Sequence, residues 1–234
     1  MIEHQKIINE IKDELFADEN VAALILYGSA ARNEVCENSD IDLMVIKNER
    51  ILLKRQVLRD SVLVEFLELN ADVLNEFLDK YEVPMIYALS EGIVLFDKTA
   101  VTDGLIKKAK EIYANGPPAI KNPKKKRSDL TEIYRDLLDV EDENEAEFNY
   151  IASLLVSDAI SIILQTNGLW EQSRKKTLAQ LKEKCYEGYK YIEILLNPAI
   201  SREEKRSAAK DLAEYALKPL GGIINGDVLI FRVE

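Results

Sequence analysis

The chain opens with apolar residues spaced for one face of a helix. Ile7, Ile8, Ile11 and Leu15 recur at three- and four-residue intervals, which predicts an amphipathic helix over residues 5–16. The pattern then changes. Residues 21–27 are apolar without interruption and rich in branched side chains, then stop at Gly28 and Ser29, as a buried strand running into a tight turn does. A second apolar run, residues 41–46, predicts a neighbouring strand. Between residues 56 and 69 two short strands are expected around Arg59, Asp60 and Ser61, the second spanning 62–67. Helices over 71–81 and 84–90, a strand over 93–96 and a helix over 101–114 complete a mixed α and β part.

The hydrophobic pattern fades at Asn115, Gly116, Pro117 and Pro118, and a basic run extends from Lys121 to Arg127, broken by Pro123. Proline and glycine resist helix here, so the segment reads as a linker with its lysines in solvent, and Ser128 as the N-cap of the next helix. The domain boundary is placed here, giving parts 1–117 and 118–234. Helices are then expected over 128–140, 143–166, 174–196 and 201–218, the last opened by Ser201 and Glu204 in capping-box spacing. Ile223 and Ile224, then Asn225-Gly226, then residues 228–233 carry a hairpin signal. The expected class is α+β: a small mixed sheet flanked by helices, then a helical bundle with a short terminal hairpin.

Composition narrows the chemistry. Acids outnumber bases 42 to 31, a formal charge of −11, which disfavours attraction to nucleic acid or an anionic membrane surface but accommodates a cationic small molecule. No run is read as long enough to cross a bilayer and the first residues lack a signal-peptide pattern, so a cytoplasmic location is expected. Cys36 and Cys185 are far apart with no partner spacing, which suggests free thiols. The single histidine, His4, is expected at a mobile terminus; that excludes histidine-rich metal sites and Ser/His/Asp chemistry in the body of the chain. Carboxylates must carry the chemistry.

The informative stretch runs from Gly28-Ser29 to Asp40-Ile41-Asp42. Gly28 permits a tight turn and close backbone approach, while Ser29 offers a hydroxyl and an amide to a phosphate oxygen. Asp40 and Asp42 lie two apart in an extended segment, so both project from one face with Ile41 on the other. Paired anions on one face need a cation, and hard carboxylate oxygens suit Mg²⁺, which keeps waters and substrate phosphates among its ligands. Two such ions would activate an attacking oxygen and stabilise a pyrophosphate leaving group.

The Gly-Ser, ten residues, Asp-x-Asp pattern between two apolar strands resembles the signature of the DNA polymerase β-like nucleotidyltransferase superfamily, in the form seen in minimal and kanamycin- or lincosamide-type antibiotic nucleotidyltransferases. Arg32 and Ser39 fall where kanamycin-type enzymes contact the triphosphate, and Asn33 departs from the glycine common after that arginine. The resemblance covers about the first hundred residues; a weaker likeness, at Asn167 to Trp170 with Lys175 and Lys176, extends to the helical part. It implies Gly28, Ser29, Arg32 and Ser39 as nucleotide-binding residues and a third acid on a strand beside the Asp-x-Asp strand. In a strand over 62–67, alternation groups Leu63, Glu65 and Leu67 on one face, which selects Glu65 as the third catalytic and metal-binding carboxylate with Asp40 and Asp42. Glu68 is expected at the strand end, solvated. Glu143, Glu145 or Glu147 could act as a base toward an acceptor hydroxyl, and Asp158 is expected to pair with Lys175 or Lys176.

The function these residues imply is transfer of a nucleoside monophosphate, AMP from ATP, to a hydroxyl of a small molecule such as an antibiotic, with two Mg²⁺ ions. The competing reading is an antitoxin-like or regulatory nucleotidyltransferase that binds or modifies a protein partner. Nucleic acid is not expected as a substrate, and a homodimer is left open.

Overall fold

Seven consecutive apolar residues form a central strand only when both faces are covered, and the structure, a computed structural model, provides that cover. It describes residues 2–226, and the chain divides into two compact units, Met1–Gly116 and Pro117–Glu234. In the first unit the elements run α1 (Ile2–Phe16), β1 (Val21–Tyr27), α2 (Gly28–Ala31), β2 (Ile41–Lys47), β3 (Leu52–Arg59), β4 (Val62–Leu69), α3 (Ala71–Asp79), α4 (Val83–Glu91), β5 (Ile93–Asp97) and α5 (Val101–Asn115). The five strands make one sheet in the order β3-β4-β2-β1-β5. The β2–β4 pair is parallel, and β3–β4, β1–β2 and β1–β5 are antiparallel.

Ile7, Ile8 and Ile11 of α1 pack on one face of the sheet against Leu24, Leu26, Ile41, Leu43, Val45, Val62, Val64 and Phe66. The alternate residues of β1 and β2, among them Ala23, Ile25, Met44 and Ile46, are also fully buried, and α4 and α5 pack against β1. Asp97 opens α5 by accepting hydrogen bonds from the amides of Thr99, Val101 and Thr102, which satisfies donors that a helix start leaves free.

The strands β1 and β2 lie where the apolar runs place them, but β3 begins at Leu52, earlier than the expected 56. Its first five residues are exposed, so neither alternation nor a continuous apolar run announces it. Asp60 and Ser61 both have positive φ (46° and 69°), the two-residue turn whose twist matches a hairpin.

The second unit contains α6 (Pro123–Asp139), α7 (Glu145–Thr166), α8 (Thr177–Lys184), α9 (Tyr186–Leu196) and α10 (Arg202–Leu217). Two expectations are corrected. The basic run is not linker: Pro123 sits in the first turn of α6, where its missing N–H costs nothing, and Ser128 is a buried position inside the helix. The single helix expected over 174–196 is two, broken at Cys185, whose φ of −139° and ψ of 49° are not helical.

Ser201 and Glu204 form the expected capping box. By length and composition α7 could cross a membrane, contrary to the sequence reading. In this unit it is the helix around which the core assembles: Phe148, Ala152, Leu155, Ala159, Ile162 and Ile163 pack with Leu130 and Leu137 of α6 and Leu212 and Ala213 of α10. Glu145 is ion-paired with Arg202 and Glu147 is hydrogen-bonded to Asn144. The second half of the expected hairpin, 228–233, lies outside the described residues; Ile223 and Ile224 accept hydrogen bonds from Arg127 and Arg135 of α6.

Candidate functional site

Strand pairing brings the acids together where β1 ends and β2 begins. The antiparallel β1–β2 pair sets Tyr27 opposite Asp42, and the parallel β2–β4 pair sets Glu65 on the other side of Asp42. Paired residues point to the same face, so Asp42 and Glu65 project together, opposite to the core that α1 covers. Asp40 immediately precedes β2, and its charge acts on both Asp42 and Tyr27.

Gly28 has a φ of +69°, open to glycine at little cost, and the Asp42 carboxylate occupies the space a side chain would need. A Cβ at this position would overlap Asp42 Oδ2 and lie 2.9 Å from its Cγ. The glycine therefore lets the carboxylate pack directly on the turn. Next to it, the Ser29 hydroxyl is buried and has no hydrogen-bond partner among the described residues. A buried hydroxyl left unpaired costs about 1–3 kcal/mol, which an incoming oxygen acceptor would recover.

The electrostatics are those of anions held close. Burial, then the charges of Asp40 and Glu65, push Asp42 from its ordinary 3.8 up to about 6, with Lys54 and Arg32 partly offsetting them. Tyr27 is raised well above the usual phenol value by burial and then by Asp42, Glu65 and Asp40, so it stands beside the acids as a neutral hydroxyl. Glu65 is turned toward β3, where Lys54 Nζ lies 2.8 Å from one carboxylate oxygen and Gln56 Nε2 donates to the other at 3.0 Å. Among the described residues, no three His, Cys, Asp or Glu side chains converge as a ready-made metal cage. Asp40 and Asp42 still fit Mg²⁺ chemically, since that ion takes one or two carboxylates and completes its shell with water and phosphate oxygens.

The loop residues are placed differently from one another. The Ser39 hydroxyl accepts from the Cys36 amide at 2.8 Å, closing the turn that leads to Asp40. His4, expected at a mobile terminus, is instead buried in α1, with Nε2 3.0 Å from the Ser39 carbonyl oxygen. Arg32 pairs with Glu34 at 2.8 Å and Glu91 at 3.2 Å while still acting on Asp42. His4, Tyr27 and Lys54 enter the site only through tertiary packing. The sole signal in the sequence is that Tyr27 directly precedes the Gly-Ser turn.

Glu68 overturns its expectation. The strand β4 continues to Leu69, so Glu68 is buried on the face opposite Glu65, with Arg55 at 2.6 Å and Lys47 at 3.9 Å. Glu68→Gln should lower stability by about 1–2 kcal/mol by breaking this pair, discounted for the exposed Arg55, and leave the folded protein's transfer rate intact. Glu65→Gln should do the reverse, cutting transfer roughly tenfold or more at nearly unchanged stability. Denaturation midpoints and initial rates separate the two variants; a rate loss confined to Glu68→Gln would move the site to the other face.

Comparison with known proteins adds to this geometry. A family model described as "Polymerase beta, Nucleotidyltransferase" matches residues 9–100, the stretch that carries Gly28, Asp40, Asp42 and Glu65. A protein of Methanocaldococcus jannaschii, named a putative protein adenylyltransferase, is 32% identical over 74 residues, which are 32% of this chain and 76% of that protein. The crystal structure of a nucleotidyltransferase-like protein from Exiguobacterium sibiricum aligns with a TM-score of 0.48 and 15% identity, covering 93% of this chain and 73% of that one.

Proposed function

This chain belongs to the polymerase β nucleotidyltransferase family, and we propose that it transfers AMP from ATP to a hydroxyl group, with Asp40 and Asp42 holding a divalent cation. The observation that carries this reading is the Asp42 carboxylate packed on a glycine that admits no Cβ, beside a buried Ser29 hydroxyl with no partner among the described residues.

In this reading the acceptor hydroxyl oxygen bonds to the α-phosphorus, the bond from that phosphorus to the bridging oxygen breaks, pyrophosphate leaves, and the hydroxyl proton passes to solvent or a nearby carboxylate. Mg²⁺ bound by Asp40 and Asp42 would supply charge neutralisation for the attacking and leaving oxygens, with Glu65 completing a second position. Ser29 gives its hydroxyl to a phosphate oxygen, and Gly28 lets the backbone approach the nucleotide. Arg32 reaches a phosphate by giving up Glu34 or Glu91, and Ser39, whose oxygen already accepts from Cys36, still has its O–H to donate. Tyr27 contributes a protonated phenol at the edge of the acids.

The acceptor class is argued from charge. A cationic, hydroxyl-bearing small molecule of the antibiotic type suits a chain with a formal charge of −11. A second reading, a serine, threonine or tyrosine hydroxyl on a protein partner, is favoured by the name of the Methanocaldococcus relative. Incubation with α-labelled ATP and Mg²⁺ against aminoglycosides, lincosamides, proteins and RNA tests both readings. Label on an antibiotic supports the first and label on a protein the second. Transfer from γ-labelled ATP instead would make the enzyme a kinase and overturn both.

A further inference from the structure

We propose that Lys54 is a built-in counter-ion of the carboxylate site, occupying Glu65 in competition with a divalent cation. The inference rests on the reading of Asp40, Asp42 and Glu65 as a cation site. Its basis is the way β3 engages Glu65. The antiparallel β3–β4 pairing sets Gln56 directly opposite Glu65 and Lys54 opposite Leu67, one step along the same face. From there Lys54 takes one Glu65 oxygen and Gln56 the other, so the carboxylate has its nearest ligands already in place.

The two partners differ in what it costs to leave. The Glu65 side chain is 14% exposed and Lys54 is 60% exposed, so the ammonium stands in water at the end of a flexible stem and holds a carboxylate that solvent hardly reaches. Such a pair is worth little in itself and is easily exchanged. Without a compensating cation, however, Glu65 would add its full charge to a group whose mutual repulsion already acts on Asp42, and Lys54 is one of the two bases that oppose that repulsion. The lysine thus does for the metal-free protein part of what a divalent cation does for the loaded one.

The two cation positions are filled at different cost. Among the described residues none ion-pairs with Asp40 or Asp42, so a cation there displaces no such partner, whereas a cation that also uses Glu65 must first release Lys54. The two positions therefore differ in affinity, and Lys54 sets the difference. Gln56, uncharged, orients Glu65 without competing for it, so it is a positioning residue and Lys54 the competitor.

Mn²⁺ binding to the full chain without nucleotide tests this, measured by calorimetry or by the electron spin resonance signal of free Mn²⁺, alongside thermal unfolding in EDTA. Lys54→Met is expected to bind Mn²⁺ on the order of fivefold more tightly than the parent. It should also unfold at a lower temperature in EDTA, a deficit that Mn²⁺ removes, while Lys54→Arg behaves as the parent. Unchanged or weaker Mn²⁺ binding by Lys54→Met overturns the counter-ion role. Asp42→Asn keeps that failure separate from failure of the underlying reading. If Asp42→Asn loses Mn²⁺ and Lys54→Met is unaltered, only the counter-ion inference falls; if Asp42→Asn binds Mn²⁺ as the parent does, the carboxylate site itself is wrong.

Discussion

Asp42→Asn is expected to abolish nucleotide transfer and, at neutral pH, to make the protein harder to unfold. The two effects share one origin. A carboxylate that burial, Asp40 and Glu65 push from 3.8 to about 6 is held ionised against its environment, and the shift corresponds to at most about 3 kcal/mol. Partial exposure lets solvent screen some of that, leaving a gain of about 1–2 kcal/mol on replacement by a neutral isostere. The sign fixes the pH window. A raised carboxyl pKa penalises the folded state above about 6, where both folded and unfolded chains are ionised, and not at all below about 3.8, where both are protonated. The stability difference between variant and parent should thus be full at pH 7–8, shrink between about 6 and 4, and vanish below. Transfer should fall by on the order of 10²–10³-fold or more, because the variant loses a hard anionic ligand at the reacting centre. Urea unfolding at several pH values, paired with single-turnover transfer, measures both arms. A variant that unfolds more easily than the parent at pH 8 would show that Asp42 is a stabilising charge and remove the argument for a site strained toward a cation.

Gly28→Ala carries the next largest effect. Alanine must adopt a φ of +69°, costing about 1–2 kcal/mol, and its methyl group collides with the Asp42 carboxylate. Relief comes by moving either the turn or Asp42. A displacement of about 1 Å at a reacting centre can lower rate by about 10²-fold, so kcat/KM should drop by at least that much. Ala31, three residues on in the short helix α2 and part of the core that α1 covers, is a suitable control because Ala31→Gly perturbs the same segment from its core side. Near-parental activity for Gly28→Ala would mean that Asp42 does not need its observed position.

The elements that were readable in the sequence share a property: their signal is local. β1 is a continuous apolar run that ends at Gly28, β2 is apolar from Leu43 to Ile46 with Asp42 the one acid inside it, and both fall where the pattern puts them. Alternation in β4 placed Glu65 on the face it occupies, beside Asp42. What could not be read depends on partners far along the chain. β3 is an exposed edge with Lys54, Arg55 and Gln56 at its centre, and only its pairing with β4 makes it a strand. The break at Cys185 interrupts a periodicity that runs smoothly through it, so spacing alone joined α8 to α9. The lysines before Ser128 oppose a helix start by charge, and the proline that begins α6 was read as a breaker instead. The burial of Glu68 is not legible locally, because burying an acid is costly unless a base meets it, and its bases, Arg55 and Lys47, come from neighbouring strands.

The buried Glu68 also has a bearing on how faithfully the sheet assembles. The strand β4 joins a parallel neighbour that precedes it by some twenty residues and an antiparallel one that precedes it directly, so its alignment is not dictated by the hairpin turn alone. A slip of one residue would exchange its faces, driving Glu65 into the α1 core and carrying Val64 and Phe66 out of that core onto the carboxylate face. It would also carry Glu68 away from Arg55 and Lys47. The ion pair thus acts as an alignment key: the misthreaded sheet loses two apolar side chains and strands two acids at once. The segment that sets Glu65 beside Asp42 is proofread by a second carboxylate three residues later on the opposite face.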